Sequence, residues 1–258
     1  MIVGGANAEG RSVGVRRFFA PLRGIASPVK GLPIRGCVEE GSKPTVTADE
    51  GCRIYAVLEA GPRAVEHLDA ALEMGSVAAA LIVPPSGAVL ERSSIERLIA
   101  RAQSAGVAAL IRDDVPLVQM LGADGVHVSA RNGIAAAHAA AREGLGARAI
   151  VGVDPGISRH DAMSAAEDGA DYVAFGAPRQ LGNRDKGRAR RNALIAWWAE
   201  IFEVPCVAFD VESAPEAHEL KRAGADFVAV AVGEDAPAQS RRLLGEIASA
   251  LRDGGVKG

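Results

Sequence analysis

Eight short apolar runs, each followed by a stretch of helical periodicity, fill this chain from Arg53 to Leu251. The runs are Arg53–Glu59, Val77–Val83, Val107–Asp113, Asp124–Val128, Ala149–Asp154, Asp171–Gly176, Val204–Val211 and Asp226–Val232. They are apolar on both faces, as strands of a parallel sheet covered by helices must be. Between them the apolar positions recur at helical spacing, as in Arg63–Met74, Ile95–Ser104, Ile134–Arg142, Asp161–Glu167, Arg191–Phe202, Pro215–Arg222 and Ala238–Leu251. Eight such units suit closure, so residues 51–258 are expected to form one α/β domain, a (β/α)8 TIM barrel. Barrels of this type need roughly 200–250 residues, and apolar residues make up 48% of the chain, enough for the core.

A repeat marks the junctions. The chain reads Gly122-Ala-Asp-Gly-Val-His-Val, Gly169-Ala-Asp-Tyr-Val-Ala-Phe and Gly224-Ala-Asp-Phe-Val-Ala-Val. Each glycine follows a helical pattern and precedes a strand, where a left-handed residue ends a helix without steric cost.

Residues 1–50 read differently. From Met1 to Gly36 the one acid is Glu9, against Arg11, Arg16, Arg17, Arg23, Lys30 and Arg35, and no period is sustained. This is a basic, irregular N-terminal extension, and three readings stay open: an organelle transit segment, a flexible tail or an overextended start. The net charge of −3 gives no electrostatic reason to expect nucleic acid or a membrane surface as partner. The cysteines, Cys37, Cys52 and Cys206, are odd in number and far apart, which indicates neither a disulfide framework nor a zinc site and fits a cytoplasmic setting.

In such barrels ligands bind at the C-terminal ends of the strands. His127 ends the fourth strand and could act as a general acid or base, or be a packed, hydrogen-bonded wall residue. Asp113, Asp114, Asp154, Asp210 and Glu59 could line one mouth, a cluster that would favour a cation or an amine. His67, His138, His160 and His218 fall on helices and are expected at the surface. A basic stretch carries Arg179, Arg184, Lys186, Arg188, Arg190 and Arg191, and is either an anion site or a basic surface loop. Trp197 and Trp198 cannot share one helix face. One belongs in the core, and the other is available to a neighbouring subunit, which leaves a homo-oligomer open.

Ile111-Arg-Asp-Asp-Val-Pro-Leu-Val-Gln-Met-Leu-Gly-Ala-Asp-Gly-Val-His-Val resembles the stretch from strand 3 through strand 4 of the thiamine phosphate synthase family. Ile150-Val-Gly-Val, Gly169-Ala-Asp-Tyr-Val-Ala-Phe-Gly, Val204-Pro-Cys-Val-Ala-Phe and Ala223-Gly-Ala-Asp-Phe-Val-Ala-Val follow in the family's order, so the resemblance covers about Ile54 to Leu251. It implies thiamine biosynthesis. The family joins a pyrimidine methyl diphosphate to a thiazole phosphate and releases diphosphate, with Mg²⁺ and cationic groups holding the leaving group.

Several family positions are altered. The second strand ends Ala80-Leu81-Ile82-Val83-Pro84 where the family has Gln-Leu-Arg-x-Lys. After the third strand, Arg112-Asp113 replaces Asn-Asp. Arg112 is then a candidate substrate contact and Asp113 a metal ligand. After the fourth, Ser129-Ala130-Arg131-Asn132 replaces Gly-Gln-x-Asp, so the second metal ligand is Asn132 and Mg²⁺ binding is expected to be weak. After the fifth, Asp154 replaces a serine. In the sixth loop Lys186 is the counterpart of a catalytic lysine, with Arg179 as a second substrate contact. At the seventh, Asp210-Val211 replaces Gly-Gly, and at the eighth Val232 replaces a serine ahead of Gly233. A carboxylate ~4 Å from a phosphate costs about 4 kcal/mol at an effective dielectric of ~20. The substrate site is therefore degenerate against the family pattern. A non-catalytic paralog that binds or regulates, and a barrel enzyme for another small ligand, stand as alternatives.

Overall fold

A computed structural model describes residues 51–85, 92–129, 133–177, 183–233 and 237–252. The expectations for residues 1–50, and for Asn132 and Arg179, lie outside the described residues. Among those described, eight strands and eight helices alternate. The strands are β1 (Arg53–Glu59), β2 (Val77–Val83), β3 (Ala108–Arg112), β4 (Gly125–Val128), β5 (Ile150–Val153), β6 (Tyr172–Phe175), β7 (Cys206–Ala208) and β8 (Phe227–Val232). The helices are α1 (Ala64–Leu72), α2 (Arg92–Ser104), α3 (Val115–Leu121), α4 (Ile134–Leu145), α5 (Arg159–Glu167), α6 (Arg184–Ile201), α7 (Ala214–Arg222) and α8 (Pro237–Arg252). All neighbouring strands pair in parallel, and β8 returns to β1, closing the barrel. No helix among the described residues is long and apolar enough to cross a membrane.

The expected boundaries differ most at α6, which starts at Arg184 rather than Arg191. Asn183 is the cause: its side-chain oxygen accepts the N–H groups of Asp185 and Lys186 and starts the helix early. The basic stretch from Arg184 to Arg191 is thus helix, not loop.

The Gly-Ala-Asp junctions have a double function. Gly122, Gly169 and Gly224 take φ of 68°, 87° and 97°, turning the chain out of α3, α5 and α7. The following aspartates then close the barrel's N-terminal rim. Asp124 Oδ2 accepts the N–H of Ala109 at 2.7 Å, Asp171 Oδ2 that of Val151 at 2.8 Å and Asp226 Oδ2 that of Cys206 at 2.8 Å. Each donor lies at the start of the neighbouring strand, so the carboxylate substitutes for a missing ladder partner.

Strand alternation sorts the core into two shells. Ile54, Leu58, Ile82, Ile111, Val126, Val151 and their like pack outward against the helices, where Trp198 is fully buried and donates its indole N–H to the carbonyl of Val204. Trp197 is half-buried, with the Arg159 guanidinium 4.5 Å over its ring. Tyr55, Leu81, Leu110, Tyr172, Val207 and Phe227 pack inward along the barrel axis.

Asp171 is the junction carboxylate that also forms an ion pair, with Arg142 at 2.6 Å. Replacing it by alanine leaves a strand N–H unpaired, at a cost of about 2–3 kcal/mol. Thermal unfolding of Asp171→Ala is expected roughly 4–12 °C below wild type. Asp171→Asn, which keeps an acceptor, is expected to recover part of the difference.

Candidate active site at the C-terminal mouth

The barrel is filled below its mouth. Gly152 of β5 has no side chain because the Tyr172 ring occupies the space where a Cβ would stand. The Tyr172 hydroxyl lies 2.8 Å from that of Tyr55 and 2.9 Å from Nδ1 of His127, so three strands meet in one buried chain of hydrogen bonds. Phe209 stacks on His127 with centroids 5.1 Å apart. Above this floor a cavity of about 500 Å³ opens between the ends of β1, β2, β3, β7 and β8 and the start of α1. Its walls are apolar at Val57, Val83, Phe209 and Ala231, and polar at Glu59, Arg63, His67, Arg112, Asp210 and the backbone of Gly233.

The predicted site residues divide over this geometry. Arg112, Asp210 and Gly233 line the cavity; Lys186 is exposed on the first turn of α6 and does not. His127 is 2% exposed. Burial first, and then the Arg112 charge, push its pKa down to about 3, so it stays neutral with one ring nitrogen engaged by Tyr172. This is the placement of a wall residue. Arg112 ends β3, and its buried Nε has no hydrogen-bond partner among the described residues.

Asp113 and Asp210 both adopt φ of 58°, which side-chain-bearing residues rarely take. Each spends one carboxylate oxygen on the end of a neighbouring strand. Asp113 Oδ1 accepts the N–H of Ser129 at 2.8 Å, and Asp210 Oδ2 that of Ala177 at 2.9 Å. Asp154 accepts the N–H of Gly156 at 2.8 Å. Burial, opposed by that hydrogen bond and joined by the Asp210 charge, raises its pKa to about 6, with Arg112 pulling the other way. The acidic cluster is therefore smaller than the sequence suggests: Asp154 feels the charges of both Asp210 and Arg112, whereas Asp114 caps α3 through the N–H of Leu117.

Three buried residues escaped the sequence reading. Arg191 was counted with the basic stretch, yet it is 0% exposed. It donates to the carbonyls of Phe209 at 2.8 Å and Asp210 at 3.1 Å and pairs with Glu216 at 2.7 Å. Glu216 in turn accepts the N–H of Glu212. This clamp fixes the loop that holds Asp210 in its left-handed conformation. The signal was present: Arg191 shares the buried stripe of α6 with Leu194, Ile195 and Trp198, at helical spacings of three, four and seven. Arg184 and Arg188 pair with Glu212, so this half of α6 is tied to the β7–α7 loop. His67, expected at the surface, is 2% exposed in the cavity wall, and His138 is 1% exposed on the inward face of α4. They are buried because each falls on the inward face of its helix, at helical spacing from buried apolar neighbours.

The described residues contain no group of three or more His, Cys, Asp and Glu arranged to hold a metal ion. Asp113, the expected ligand, has one oxygen on Ser129.

The model of the thiamine monophosphate synthase family matches residues 54–233. A thiamine-phosphate synthase of Rhodospirillum centenum is 39% identical over 188 residues, 70% of this chain and 88% of the relative. One of Hyphomonas neptunium is 40% identical over 156 residues, 59% of this chain and 69% of the relative. The solved thiamine phosphate pyrophosphorylase of Pyrococcus furiosus superposes with a TM-score of 0.60 at 21% identity, over 79% of this chain and 98% of that one, and so shares the fold.

The mouth carries two opposed pH dependences. His127, lowered from 6.5 to about 3, contributes stability that is present above pH 6.5 and lost as pH falls toward 3. Asp154, raised from 3.8 to about 6, contributes stability that is present below pH 3.8 and lost as pH rises through 6. Between them the slopes, each about 1.4 kcal/mol per pH unit at most, offset each other. Urea unfolding of Asp154→Asn is expected to show higher stability than wild type at neutral pH and a steeper loss on acidification from pH 6 to 4. Arg191→Leu, which removes one of the two cations paired with Glu216 and the donor to the carbonyls of Phe209 and Asp210, is expected to cost about 1–3 kcal/mol in the same measurement at neutral pH.

Proposed function

Since the chain belongs to the thiamine monophosphate synthase family and so to thiamine biosynthesis, we propose that its mouth binds the two phosphorylated precursors and joins them by the family reaction. In that reaction the benzylic C–O bond of the pyrimidine diphosphate breaks. Diphosphate departs with the electron pair, and the thiazole nitrogen forms the new C–N bond. The enzyme must stabilise a negative leaving group and a positive methylene without donating or accepting a proton.

Arg112 carries this reading. It ends β3 and lines the open cavity, and its buried Nε has no partner among the described residues. Placed there, the guanidinium receives the diphosphate as charge develops on it. Asp210 in the cavity wall, and Asp154 in its ionised form within the field of Arg112, supply negative charge that stabilises a methylene cation. Mg²⁺ supplies further charge neutralisation to the diphosphate in this chemistry, but no step here is assigned to it. Small phosphorylated ligands and a cytoplasmic setting go with the reading. Burial, then Asp226, pushes the Cys52 thiol up to about 12, so this free thiol is unreactive.

A second reading has its own observation. Asp210 stands where the family has glycine, and the Arg191 clamp keeps it there. A paralog that binds a precursor without turning it over would tolerate this. Incubation with both precursors and Mg²⁺, followed by chromatography of the products, separates the two. Thiamine phosphate is expected from wild type, with the rate reduced roughly 10²–10³-fold in Arg112→Leu. Calorimetric binding of either precursor with no product would establish the binding paralog instead.

A further inference from the structure

Resting on the reading that the ligand carries a phosphate, we propose that its phosphate monoester end is received on the α1–β8 side of the mouth, by His67 and the N-terminus of α1. The β7 end is closed to it by Asp210. His67 is 2% exposed, and neither ring nitrogen has a partner among the described residues. A buried polar group without a partner is costly, and native structures rarely retain one unless something else satisfies it. His67 lines the cavity, so a ligand entering it is the available partner.

The surroundings select an anion. The chain from Gly61 to Ala64 forms this side of the cavity and leads into α1, a helix of nine residues. Its N-cap residue is Arg63, whose side chain makes no capping bond, so the helix end keeps its positive potential. Arg63 lines the same wall. Opposite, Gly233 takes φ of 118°, where a side chain is strained, and its missing Cβ leaves open the space beside the imidazole. A Cβ there would stand 3.5 Å from Cδ2 and 4.0 Å from Nε2 of His67. Glu59 is the carboxylate on this side; it is exposed at the rim, where water screens it. Asp210 lies across the mouth on β7, held to Ala177.

Inorganic phosphate is the probe, titrated calorimetrically into the full-length protein. Wild type is expected to bind it saturably. His67→Leu is expected to weaken binding about tenfold or more, while its melting temperature stays equal or rises, because the lost nitrogens had no partners. Should that variant fail to fold, the ring-nitrogen resonances of His67 in the wild-type protein are expected to shift on phosphate addition. Absence of phosphate binding by wild type, equal affinity in His67→Leu, or unmoved His67 resonances would each overturn the proposal. Phosphate binding that depends on His67 without thiamine phosphate synthesis would leave this subsite standing and the joining reaction rejected; synthesis that is indifferent to His67 would do the reverse.

Discussion

The hydrogen bond between the Tyr55 and Tyr172 hydroxyls crosses the barrel from β1 to β6, and much of the site depends on it. It places two aromatic rings on the axis. A ring on β6 needs an empty position on β5, which Gly152 supplies. The second acceptor or donor position of the Tyr172 hydroxyl then goes to His127, and Phe209 stacks on the imidazole. The result is a floor with about 500 Å³ of space above it and about 30 Å³ below it. Burial holds all three titratable groups of the chain in their neutral forms by raising the two tyrosines and lowering the histidine. A neutral floor leaves the charge at the mouth to Arg112 and the strand-end carboxylates.

Those charges are fixed by backbone rather than by one another. Asp113 and Asp210 are held in the left-handed region, with a carboxylate oxygen on a strand-end N–H, and Asp154 closes a turn on Gly156. The Arg191 clamp adds a buried cation beneath the β7 loop, directed at carbonyls and at Glu216, away from the ligand space. The substitutions that separate this chain from the family pattern thus belong to a rigid arrangement. Pre-organised groups of this kind act on a ligand without a cost of reordering.

The barrel was legible in the sequence because its signals are local and repeated. Parallel strands buried on both faces read as apolar runs, and each Gly-Ala-Asp writes the end of a helix and the start of a strand in adjacent letters. What the aspartate of that repeat does was not legible, because its partner N–H lies 15 to 20 residues away on another strand. The same limit applies to α6. Its apolar stripe was visible, but the Asn183 cap that starts it early was read as part of a basic loop.

Of the site, the sequence by itself determined which residues stand at strand ends, and so brought Arg112, Asp210 and Gly233 to the cavity. The two-residue period of a strand and its fixed C-terminal direction suffice for that. Tertiary structure alone decided which of those groups remain free and which are occupied. Asp114 became a helix cap, Asp113 and Asp210 became strand-end acceptors, and His127 became part of the floor. It also decided that Arg191 and His67 are buried, the first fully paired and the second without a partner among the described residues. The reason is physical: the pKa and availability of a polar group depend on what approaches it in space, and in a closed barrel those neighbours come from strands distant in sequence.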